Sequence, residues 1–166
     1  YTFHIVSIFN AAGMSRSRAV SIFFPAAVVA VVFEIGGSWL SDYIRLKYLA
    51  IVQLVGSFTL SISLIFLQPG IPVVGVVVGH GMMQGMFGIL SNITWPRFFG
   101  RKHLGAIAGF ATALTVAGTA VGPAFFSVLR DVSGSYAPAA ATTAVLSAAL
   151  VVLATRADRP YHSAGR

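Results

Sequence analysis

Few side chains in this 166-residue chain could do chemistry, and each stands out against an apolar background. Glu34 is the one acidic residue deep inside an apolar run, that from Ala19 to Leu40. An ionised carboxylate in hydrocarbon is costly, so it must face a cavity, be protonated or pair with a neighbouring helix. The first two suit proton coupling or solute contact. The third would be structural, and Glu34 lies only six residues from Leu40. His80, Gln84, Phe87 and Ser91 follow one another at spacings of four, three and four, which is one stripe of a helix. Such a stripe could line a pore, with His80 titrating near neutral pH, or hydrogen-bond across to other helices. Thr112, Thr115 and Thr119 are spaced in the same way, but threonine can return its hydroxyl to its own backbone, so they need no ligand. Gly118, Gly122 and Pro123 read as close packing plus a bend that could act as a gate. His4, Ser7 and Asn10, in the first apolar stretch, are further candidates to line a cavity.

These residues need a scaffold, and composition says what surrounds it. Hydrophobic residues make up 57% of the chain and charged ones 9%, with mean hydropathy +0.85. A soluble domain carries about 25% charged residues, because it must face water. This chain has no polar coat, so its outside must meet membrane lipid. The net charge of +7 does not point to nucleic acid, because the Lys and Arg residues sit in short clusters between apolar runs rather than on one basic face. The chain contains no cysteine, hence no disulfide or thiolate site.

About 20 apolar residues cross a hydrocarbon core of about 30 Å. The pattern predicts an all-α membrane bundle of six helices near residues 1–12, 19–40, 48–67, 71–95, 104–129 and 138–155, the first too short to cross, with a polar tail over 156–166. Pro72 falls in a first turn, where its missing N–H costs nothing. The chain opens on Tyr1, with no basic region or cleavage site of a secretory leader, so the first helix is expected to be truncated and an N-terminal part to precede it. Eight basic residues (Arg45, Lys47, Arg97, Arg101, Lys102, Arg156, Arg159, Arg166) fall on one side and three (Arg16, Arg18, Arg130) on the other. The positive-inside rule puts the eight, the C-terminus and the preceding part in the cytoplasm.

Three stretches resemble the C-terminal half of the major facilitator superfamily. Gly36-Gly37-Ser38-Trp39-Leu40-Ser41-Asp42, followed by Arg45 and Lys47, is similar to the short motif between the second and third helices of each half, with Tyr43 and Arg45 where the family has Arg and Gly. Pro96-Arg97-Phe98-Phe99-Gly100-Arg101-Lys102-His103-Leu104-Gly105 is similar to the loop before the eleventh helix. Ala117-Gly118-Thr119-Ala120-Val121-Gly122-Pro123, with Leu129-Arg130-Asp131 and Gly134-Ser135-Tyr136, is similar to the end of that helix and its outer loop. Together they resemble the oxalate/formate antiporter and monocarboxylate transporter branches. The resemblance implies a latch between Asp42 and the basic residues just beyond it, Arg45 among them. It also implies two six-helix bundles rocking about a solute held between them. The partner would be the missing N-terminal half, and the solute a small molecule, with an organic anion such as a monocarboxylate as one class. Those branches place a basic residue inside the membrane to bind the anion. This chain has none within the eighth or eleventh helix, so the cation would come from the absent half.

The reading that follows is a secondary transporter of the cell membrane (the inner membrane in a bacterium), with protons as a coupling ion and no cofactor. The alternative is a channel or a non-transporting membrane scaffold. An enzyme is not expected: there is no G-x-S-x-G, no H-E-x-x-H and no phosphate-binding loop. His4, His80, His103 and His162 are too scattered for a metal site.

Overall fold

The computed structural model describes residues 1–156; the tail beyond Arg156, including Arg159, His162 and Arg166, lies outside the described residues. Among these, every regular element is a helix. A 3₁₀ turn (Thr2–His4) leads into α1 (Ile5–Ala11), followed by α2 (Arg16–Ser21), α3 (Phe23–Leu40), α4 (Leu46–Ile65), α5 (Ile71–Phe99), α6 (Leu104–Ser133) and α7 (Ala137–Thr155). Counting α2 and α3 as one segment, five helices are long and apolar enough to cross a membrane: Arg16–Leu40, Leu46–Ile65, Ile71–Phe99, Leu104–Ser133 and Ala137–Thr155. The first stretch, Thr2–Ala11, is shorter. The chain is a multi-pass membrane protein.

Local chemistry explains the ends. Ser15 caps α2, its hydroxyl accepting from the Arg18 N–H at 3.2 Å. Ile22 interrupts the helix because Pro25, three residues on, cannot donate a hydrogen bond into the preceding turn. Helix α5 runs four residues past the expected stop at Trp95. Pro96 disfavours helix at the residue before it, but that bias is weak inside a long packed helix, and termination waits for Gly100 at φ 71°. Helix α6 likewise continues past Leu129 to Ser133, where Gly134 takes the left-handed conformation and donates to Arg130 O.

Hydrocarbon offers no hydrophobic drive for helices to associate, so packing depends on how closely backbones approach. Helix α5 supplies the approach on two faces. A Cβ on Gly79 would lie 2.5 Å from the Leu60 amide nitrogen and 2.7 Å from Gly56 O, and one on Gly56 would lie 3.0 Å from Gly79 O. Those glycines let α5 and α4 touch backbone to backbone. On its other face, a Cβ on Gly81 would lie 2.8 Å from Ala26 O, and one on Gly85 would strike Ala30 O and come within 3.0 Å of the Glu34 N–H. Helix α5 is therefore wedged between α3 and α4. Helix α7 joins on the far side of α4 through two rungs, Ser57 to Ser147 at 2.9 Å and Ser61 to Thr143 at 3.0 Å.

Helix α6 is different. Among the described residues it meets α5, α7 and the N-terminal 3₁₀ turn, and lightly. Among the described residues no atom lies within 4 Å of a Cβ built on Gly118 or Gly122. Their face is open, apart from a cleft of about 160 Å³ where Gly122 and Pro123 meet Tyr1, Thr2 and Phe3.

The contrast is testable. Gly79→Val should cost about 1–3 kcal/mol or more in detergent, because the new atoms meet backbone rather than a flexible side chain. Gly118→Ala should leave stability unchanged or raise it by up to about 1 kcal/mol through helix propensity. Unfolding followed by circular dichroism decides; equal losses would show that α5's glycines are not what sets the packing.

Candidate functional site

On α3, Glu34, Ser38 and Asp42 recur every four residues and so share one face. With Ile35 and Trp39 they line an open groove of about 550 Å³. Facing Glu34 across the seam is Gly88 of α5, where a Cβ would lie 3.2 Å from Glu34 Oε1. The missing side chain leaves the space beside the carboxylate. One turn further along α5, Asn92 donates its amide to Gly88 O at 2.7 Å, so this polar group also lies along the seam. Glu34 has no hydrogen-bond or ion-pair partner among the described residues.

At the end of the seam Arg97 gathers three acceptors. Its guanidinium donates to Asp42 Oδ1 at 2.7 Å, to the Ser41 carbonyl, and at 3.4 Å to the Ser41 hydroxyl. Ser41 caps the C-terminus of α3, where the last carbonyls have no intrahelical donor and the dipole favours a cation. Arg97 itself sits in the last turn of α5, so one charge serves two helix ends. Asp42 is 71% exposed, so the ion pair alone contributes little; the bond to the Ser41 carbonyl is better protected. The resemblance paired Asp42 with the basic residues just after it. The structure pairs it with Arg97, from the stretch read separately as the loop before the eleventh helix. Arg45 instead occupies the N-cap of α4, and Lys47 donates to Thr155 O at 3.2 Å. These contacts gather the basic ends of α3, α4, α5 and α7 at one end of the bundle.

The other candidates lie elsewhere. His80 is half-buried, its ring edge-on to Tyr1 at 5.5 Å and to Phe23 at 6.0 Å, with Nδ1 buried and unpartnered. Gly81 packs at Ala26 and Gly88 at Glu34, so about 10 Å of helix rise separates the His80 and Glu34 levels. They do not form one site. Gln84 is exposed between them, as is Asn10 on α1. His4 donates from Nε2 to Pro123 O at 3.1 Å, which fixes the Nε2–H tautomer and ties the N-terminal turn to α6. Ser7 accepts from the Tyr136 hydroxyl at 2.9 Å, and Arg130 lies 5.3 Å over the Tyr136 ring. Both candidates of the first stretch that find partners thus hold helices together. Thr115 and Thr119 return their hydroxyls to Ala111 O and Val116 O, as their spacing implied. Among the described residues no three of His, Asp and Glu gather where a metal ion could sit.

Sequence reasoning missed Ser38, Asn92 and the role of Arg97. The first was available: Ser38 falls halfway between Glu34 and Asp42 on the period of four. No family model matches the chain, and neither curated proteins nor solved structures give a match.

Because Arg97 also holds the Ser41 carbonyl, Arg97→Gln should destabilise the protein more than Asp42→Asn, by roughly 1 kcal/mol. The double variant should be no worse than Arg97→Gln alone, and thermal melting of the four proteins measures this. Additive losses would mean that the two residues act separately.

Proposed function

We propose that the chain is one wall of a secondary transporter that moves a small solute by alternating access, with Glu34 as its proton-coupling group. One observation carries the reading: an unpartnered carboxylate opens onto a groove on a helix long and apolar enough to cross a membrane. Ionisable groups within membrane spans are functional candidates by default, and a carboxylate that reaches a cavity suits a cycle that alternates solvent access. The Arg97 clamp supports the same reading. It is a set of charge-assisted bonds at helix ends, exposed at Asp42 and part-buried at Ser41, which can be made and broken between two states without unpacking a core. The second wall would be the N-terminal half that the resemblance implies, and the basic ends would face the cytoplasm. If the solute is an organic anion, its cation belongs on that second wall, because Arg130 is stacked on Tyr136 at the opposite end of the bundle.

The test uses the full-length protein in vesicles, with a panel of labelled small acids, sugars and amino acids. One class should accumulate under a pH difference. Glu34→Gln keeps the shape and removes the titration, so it should still exchange that solute between equal pools but fail to accumulate it. Accumulation at the parental level would assign Glu34 a structural role. Flux that never exceeds the solute's own gradient, in the parent as well, would favour the channel.

A further inference from the structure

A second groove lies round α3 from the first and shares only Trp39 with it. Val32, Gly36 and Trp39 from α3 and Leu49 and Val52 from α4 form its walls, Met86 of α5 forms its floor, and its volume is about 360 Å³. Val32 and Gly36 stand two residues from Glu34, about 200° round the helix, so this groove opens away from the polar seam. Every side chain named is apolar, and the mouth faces the surroundings of a membrane-spanning bundle.

Its position along the membrane normal is marked by aromatic and basic residues. The Trp39 and Tyr43 rings pack 5.0 Å apart and are 66% and 72% exposed, the placement of amphipathic rings at headgroup level. From Trp39 down to Val32 the groove runs about 10 Å toward the bilayer interior. Arg45, Leu49 and Val52 are spaced four and three apart, so Arg45 continues the groove face of α4 by one turn beyond Leu49. A guanidinium has five N–H donors and can meet a phosphate alongside another contact.

We infer that this groove binds an anionic phospholipid, one acyl chain lying between α3 and α4 and the phosphate at Arg45. The inference rests on the membrane-spanning fold and not on the transport reading. Gly36 is what keeps the groove open: no atom lies within 4 Å of a Cβ there, whereas one on its neighbour Gly37 would strike the Ile89 side chain. The molecule also carries its own control. An apolar groove of about 490 Å³ between α4 and α5, lined by Ile62, Phe66, Val74 and Val78 among others, has no Trp in its lining and lies in a stretch of sequence with no Lys or Arg between Lys47 and Arg97. It should show no preference for charge.

The experiment is native mass spectrometry of the full chain with phosphatidylglycerol or phosphatidylcholine of identical acyl chains. The parent should retain the anionic lipid several-fold more than the zwitterionic one. Gly36→Leu places its Cβ in open space and its side chain in the groove, and should lose bound lipid roughly tenfold, the equivalent of about two methylenes leaving the groove. Arg45→Gln should bring the anionic lipid down to the zwitterionic level. Should Gly36→Leu fail to fold, the parent still decides: phosphatidylglycerol with a diazirine in its acyl chain should label residues 32–40 and 49–52 in preference to residues 62–78. Equal retention of both lipids, unchanged binding by a folded Gly36→Leu, or label spread equally over both grooves would overturn the inference. Absence of lipid label at residues 32–52 would give the groove to a protein helix and overturn it too.

Discussion

The structure depends on how closely α5 can approach two neighbours at once. In water, a helix pair gains by hiding apolar surface; in hydrocarbon that gain vanishes, and what remains is van der Waals contact between atoms that can get near each other. Gly79 brings α5 onto the backbone of α4, and Gly81 and Gly85 bring it onto that of α3. Everything of interest along α3 follows from this second contact. It is the register of Gly85 against Ala30 and Glu34 that sets Gly88 beside the Glu34 carboxylate and carries Arg97 to the end of α3. The serine and threonine rungs between α4 and α7 then complete a four-helix unit.

That unit has two unlike faces on α3. One presents Glu34, Ser38 and Asp42 at a period of four, the other Val32 and Gly36, with Trp39 on the rim between them. A helix surrounded by lipid on all exposed sides would have no use for the first pattern. Under the transport reading, its presence on an otherwise apolar bundle would divide the environment into a side that meets polar matter and a side that meets hydrocarbon. Helix α6 stands apart, fastened in its C-terminal half through Pro123 and His4 and otherwise lightly held. Its Gly118 is exposed, and Gly122 borders the cleft against the N-terminal turn.

Much of this was legible in the sequence, and the parts that were not share a cause. Run length gave five crossings, because it is a property of single segments. The Thr115 and Thr119 back-bonds were legible for the same reason. The partner of Asp42 was not, because it lies 55 residues away and only the α3–α5 packing register brings Arg97 to it. The glycines of α5 could be noticed as a Gly-rich stretch from Gly79 to Gly88, but which neighbour each faces is a three-dimensional fact. For Gly118 and Gly122 the same residue type suggested the same role, and the structure leaves them open. Composition cannot distinguish a glycine that admits a neighbour from one whose neighbour is missing.

The central claim is that α3 separates a wet face from a lipid face at a single depth. It can be tested directly because the chain has no native cysteine. Single cysteines at positions 34 and 32 lie within one turn of each other along the helix axis, on opposite sides. In native membranes a charged, water-soluble thiol reagent should modify Glu34→Cys readily and leave Val32→Cys unreacted. Reaction at both positions, or at neither, would contradict the account.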